Sequence, residues 1–199
     1  MGCDIHLFVE KKTSVNGIDT WVNCDNWRLN PYYDGSIENG RQYEHHSLYQ
    51  GRNYGLFGIL AHVRGHSEKV ISDPRGLPSG VSDIVKIHSD HWGIDGHSHS
   101  YFTLRELTDY LSENPTILVE GMIPPESITK LEKSGQTPTM SAGFTTMEGW
   151  DYRTWEEESP LDRLVVTITE RLKDEFFIFN DEKIKEFDEK IRIVFWFDN

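Results

Sequence analysis

The stretch Trp92-Gly93-Ile94-Asp95-Gly96-His97-Ser98-His99-Ser100-Tyr101-Phe102-Thr103 crowds two histidines, an aspartate and two serines between glycines. Imidazole, carboxylate and hydroxyl groups at that density can move protons near neutral pH, grip an oxygen-rich ligand or ligate a metal. Asp95, His97 and His99 are its candidate catalytic groups, and Ser98 and Ser100 its candidate ligand donors. A helix follows at once, since Thr103 and Glu106 make a capping-box pattern ahead of Leu104–Leu111. The stretch therefore reads as a polar loop aimed by a rigid element. An ordinary polar surface loop is the plainer alternative.

Two further sets could act with it. In the first strand Ile5, Leu7 and Val9 alternate with Asp4, His6, Phe8 and Glu10, so Asp4 and His6 stand side by side. Such a D-x-H pair can ligate one divalent metal, the one cofactor these residues suggest, and His6 joins the catalytic candidates. A solvated strand face would carry the same pair. Arg52, Arg64 and Arg75, with Tyr54 among them, flank the helical pattern Gly55–Val63 and its following loop. Guanidinium forks gathered there would receive a phosphate bidentately, unless each instead pairs with a surface carboxylate. His45-His46-Ser47 has the H-x-S form of the 2H phosphoesterases, but it lacks their apolar strand and a second copy, so that match is rejected.

The elements that must position these groups give an α+β domain with a mixed sheet. A hairpin opens the chain, turning at Asn16-Gly17 into Asp19–Asn23. Helices are expected at Gly55–Val63, Ser82–His91, Leu104–Leu111, from Pro124-Pro125 to Lys133, and from Ser159-Pro160 onward, with Asn180 capping a late turn. The closing run Ile191–Phe197 is apolar on both faces and belongs in the middle of the sheet. Segments 25–50 and 122–158 read as loop-rich insertions, the second ending in the aromatics Trp150, Tyr152 and Trp155. At 199 residues the chain fits one domain.

A net charge of −13 disfavours direct binding to nucleic acid or anionic membrane, so an anionic ligand must meet a local basic pocket. The excess acid concentrates in Glu156–Glu158 and 174–189, read as solvated helix faces. Cys3 and Cys24 make no metal or disulfide framework by spacing. No signal peptide or spanning segment is expected, which places the protein in the cytoplasm. Homo-oligomerisation is left open.

Met1-Gly2-Cys3-Asp4-Ile5-His6, Arg52-Asn53-Tyr54 with Leu56-Phe57, Arg75-Gly76-Leu77-Pro78, Trp92, Asp95–Ser100, Leu104, Glu106-Leu107 and the terminal Val194–Asn199 together resemble a family of largely uncharacterised bacteriophage and prophage proteins. The resemblance implies a phage origin and a bacterial host cell, with no activity to carry over residue by residue. Joined to the candidate groups, it suggests a phage accessory protein acting on a phosphorylated, nucleotide-like small molecule. A phosphodiesterase-type hydrolase that counters host defence signalling leads. The alternatives are a protein that sequesters such a ligand uncleaved, and an acidic inhibitor that docks on a host factor.

Overall fold

The computed structural model describes residues 2–35, 42–65, 69–143, 147–176 and 188–198. Asn180 and most of the acidic run 174–189 lie outside them. β1 (Asp4–Val15) and β2 (Ile18–Asn23) form the expected hairpin, with Asn16 and Gly17 at φ 53° and 78° as a two-residue turn of type I′ requires. β8 (Ile191–Asp198) inserts between β1 and β5 (His97–Thr103), giving the order β2-β1-β8-β5. The fold is α+β. Its central sheet is antiparallel at every pairing rather than mixed, because β1 and β5 both run against the late-returning β8.

β1 is long enough to change partners. Asp4–Lys11 pair with β8, and from Glu10 onward the strand pairs with β2. Where its outer edge lies beyond β2, Val9 N–H donates to the Asp25 carboxylate at 3.1 Å, and Cys24 N–H donates to Val9 O at 2.8 Å. Ser47 Oγ donates to Leu7 O at 3.2 Å. The edge is thereby satisfied without another strand.

Both faces of the sheet are covered, which explains why β8 is buried from Ile191 to Phe197. On one face Ile5, Leu7, Val9, Ile193, Phe195 and Phe197 pack against α1 (Tyr54–Ala61), α3 (Leu104–Glu113) and α5 (Pro160–Phe176). Asn53 caps α1 by accepting from Leu56 N–H, and Thr103 with Glu106 forms the anticipated capping box on α3. On the other face Phe8, Val194 and Trp196 pack under α2 (Asp83–Trp92), through Val85 and Trp92, and under Trp27. Trp27 belongs to a short hairpin, β3 (Asn26–Leu29) with β4 (Tyr43–His46), inside the first expected insertion.

A second small ribbon pairs β6 (Thr116–Ile123) with β7 (Asp151–Glu158), and α4 (Pro125–Ser134) packs on it. Glu156–Glu158 therefore lie on a strand, not on the helix face expected of them. Tyr152 and Trp155, expected on a loop, lie on the same strand, and Trp155 is its buried member. Cross-strand pairing along the whole of β6 decides the matter, since local composition there has no strong preference. No helix among the described residues is long and apolar enough to cross a membrane.

The largest correction falls on the central stretch. Trp92 closes α2 and only the residues from Gly93 to Gly96 turn; from His97 it is strand β5, paired with β8. Between His97↔Phe197 and Ser100↔Phe195 two residues, Ser98 and His99, oppose the single Trp196. Ser98 takes φ 53° there. This two-against-one bulge breaks the alternation of side chains. His97 stays on the face of Phe197, and His99 turns to the face of Trp196.

Candidate functional site

One face of the β1–β8 ladder carries the pairs Asp4↔Asp198, His6↔Trp196, Phe8↔Val194 and Glu10↔Arg192. Its far end is closed. Arg192 and Glu10 form a buried ion pair at 2.6 Å, Glu10 also accepts from Ser82 N–H, and Arg192 also donates to Gly80 O. The guanidinium lies 3.9 Å from the Trp21 ring centre.

The near end is half-open, and the histidines gather there. His6 Nε2 lies 3.2 Å from Asp198 Oδ2, and Asp198 Oδ1 accepts from Asp4 N–H at 3.0 Å. Trp92, in the last turn of α2, covers the His6 ring at 4.2 Å. His99 Nε2 lies 2.9 Å from the hydroxyl of Ser89, one turn earlier on α2. The Trp196 indole is sandwiched between the two strands' imidazoles, stacking with His6 at 5.7 Å and His99 at 5.5 Å. Since β8 separates their strands, the histidines stand about 9–10 Å apart. Burial lowers the pKa of His6, against the opposing pull of Asp198, and burial with the neighbouring His97 lowers that of His99. Both are therefore neutral at pH 7 and able to accept or share protons. Trp196 is fully buried, yet its Nε1 has no hydrogen-bond partner among the described residues.

Gly96 holds this cluster close. A Cβ there would meet Trp92 Cβ at 3.0 Å, His99 Cε1 at 3.4 Å and Trp196 Cδ1 at 3.5 Å. The turn can approach the indole only without a side chain.

The other expected site residues divide. His97 accepts or donates at Nδ1 with Ser98 Oγ at 3.1 Å, and its buried Nε2 has no hydrogen-bond partner among the described residues, on the opposite face from His99. Ser100 is buried and accepts from Arg75 N–H, and Asp95 is exposed in the turn before β5. Asp4 does not turn toward His6 as a shared metal ligand would. Its carboxylate takes a two-pronged bond from Arg52, at 2.5 and 2.8 Å, which holds it below the usual carboxylate range. Arg75 pairs with Glu106 at 2.7 Å beyond the outer edge of β5, Arg64 bonds the Cys3 thiol, and Tyr54 packs edge-on against Phe57. Arg52 and Arg75 thus sit beside opposite outer strands of the β1–β8–β5 ladder, each with a carboxylate, and form no common phosphate receptor. Among the described residues no three His, Cys, Asp or Glu side chains gather as a metal ion would require.

Ser89, Asp198 and Trp196 were not among the sequence candidates. The spacing Val85, Ser89, Trp92 was a legible signal, because i, i+4, i+7 places all three on one helix face. A further ring cluster joins His45 and His88 to Phe8 and Trp27, with His45 stacked on Phe8 at 4.1 Å. His45 Nε2 lies 3.0 Å from the Asp25 carboxylate but outside its hydrogen-bonding directions. Two surface concavities lie elsewhere. One, of about 440 Å³, runs between Trp21, Trp27 and residues 80–84; the other, of about 170 Å³, lies between Asp25, Ser47 and α5.

No protein-family model, curated protein or solved structure matches the chain.

Proposed function

We propose that the chain is a hydrolase of a phosphodiester-bearing, nucleotide-like small molecule, acting at the His6–Trp92–Trp196–His99 cluster. The observation that carries this reading is the pair of neutral, half-buried histidines on either side of one indole, one held by a carboxylate and the other by a hydroxyl. Neutral imidazoles that each have a partner on one nitrogen are suited to general acid–base work near pH 7. The diester is preferred to a monoester on charge. Arg52 and Arg75 are each taken by a carboxylate rather than free to offset a dianion, and the protein as a whole repels one. Trp92 supplies an aromatic surface on which a base could stack. Taken with the phage resemblance, the biological role we propose is removal of a nucleotide messenger in an infected bacterium.

A second reading has one observation in its favour. The Trp21–Trp27 groove has the volume of a small-ligand site and is not lined by His6 or His99, as a non-catalytic sequestering protein would allow.

The deciding experiment incubates wild type, His6→Ala and His99→Ala with cyclic and linear dinucleotides and separates free, bound and cleaved ligand. Hydrolysis predicts cleavage by wild type and a loss of roughly 10²- to 10⁴-fold in each variant. Stoichiometric uptake of intact ligand, unchanged in both variants, would overturn it in favour of sequestration.

A further inference from the structure

The partners of His6 and His99 differ in what they can accept and donate, and that difference assigns the tautomers. A carboxylate only accepts, so the 3.2 Å contact to Asp198 requires the proton on His6 Nε2 and leaves a lone pair on Nδ1. The Ser89 hydroxyl is enclosed, and its hydrogen bond is to His99 Nε2. If Nε2 carried the proton, the hydroxyl hydrogen would be a buried orphan donor; if the hydroxyl donates to Nε2, nothing is left unsatisfied. That puts the His99 proton on Nδ1. Neither Nδ1 takes a protein partner among the described residues, and neither is a buried orphan.

We infer that the two histidines do opposite work, His6 as proton acceptor and His99 as fixed neutral N–H donor, with Ser89 the positioning residue that sets the donor. The chemistry rests on the hydrolytic reading above. His6 Nδ1 takes a proton from the water whose oxygen bonds to phosphorus. As the bond from phosphorus to the leaving oxygen breaks, His6 returns that proton to the leaving oxygen. One water is consumed and the histidine is restored. His99 donates a hydrogen bond through Nδ1–H to a phosphoryl oxygen and keeps its proton throughout, as an electrophilic neutral imidazole can.

The test is long-range ¹H–¹⁵N correlation spectroscopy of the uniformly labelled full chain at pH 7.5, which reads each imidazole tautomer directly. Wild type should show His6 protonated at Nε2 and His99 at Nδ1. Ser89→Ala should move His99 to the Nε2–H form and lower kcat roughly 10- to 100-fold with little change in KM, the loss typical of a residue that orients another. Ser89→Thr, which keeps the hydroxyl, should restore both. A His99 protonated at Nε2 in wild type, or unmoved by Ser89→Ala, overturns the assignment. The assigned tautomers in a protein without turnover would overturn the hydrolytic reading alone.

Discussion

The two ends of the β1–β8 ladder use the same strands and the same face for different ends. At Glu10↔Arg192 both side chains are almost fully enclosed, 0% and 4% exposed, and the charges meet each other, the loop at 80–82 and an indole face. At His6↔Trp196 the imidazole is a quarter exposed, its carboxylate partner lies at the sheet's end, and the buried indole N–H has no partner among the described residues. The first end pins the turn before α2 to the sheet. The second leaves polar capacity unused next to solvent. A buried charge is structural when its neighbours complete it, and a candidate for chemistry when they stop short.

The largest effect should come from breaking the closed end. Glu10→Gln or Arg192→Met alone strands a buried charge and should cost about 3–5 kcal/mol in urea unfolding. Replacing both with apolar residues of similar volume should cost far less. Equal losses in the single and double variants would show that the pair does not act as a unit.

At the open end the cost should fall on activity. His6→Ala and His99→Ala should remain folded while losing turnover as stated above, so the same type of substitution separates the two ends by its readout.

The pH dependence of stability sharpens the contrast. His6 and His99 are held below the ordinary imidazole value, chiefly by burial. The unfolded chain therefore binds more protons than the folded one as pH drops below about 6.5, and stability is lost across that window. Unfolding midpoints measured from pH 7.5 to 5 should fall, and should fall less in a His6→Gln/His99→Gln double variant. An equally steep fall in that variant would assign the acid sensitivity to other groups.

The smallest effect concerns the bulge that divides His97 from His99. Ser98→Val forces a β-branched residue to φ 53° and should lower stability by about 1–3 kcal/mol. It should also broaden the His99 resonances by loosening the ring on Trp196.

Much of the fold was legible in local pattern. The alternation of Ile5, Leu7 and Val9, the Asn16-Gly17 turn, the Thr103/Glu106 box and the apolar final strand each follow from one element's own chemistry. The bulged strand His97–Thr103 was hidden because its first half, histidine and serine, carries little strand signal and the bulge breaks the alternation. Only Tyr101, Phe102 and Thr103 favour a strand locally, and the rest comes from β8 beside it. The site was half legible for the same reason. His6 and His99 were visible as residue types, but Ser89 and Asp198 became their partners only through helix packing and strand register. The arginines show the converse. Their chemistry suited phosphate, and the fold gave Arg52 and Arg75 to Asp4 and Glu106.

The most direct measurement is chemical-shift mapping of the labelled 199-residue chain titrated with a non-hydrolysable cyclic dinucleotide analogue. Ligand at the open end should move the His6 and His99 imidazole and the Trp92 indole signals together, saturably, while the Trp21 indole stays fixed. Movement confined to Trp21 and Trp27, with the two imidazoles unchanged, would contradict the assignment of the site to the histidine cluster.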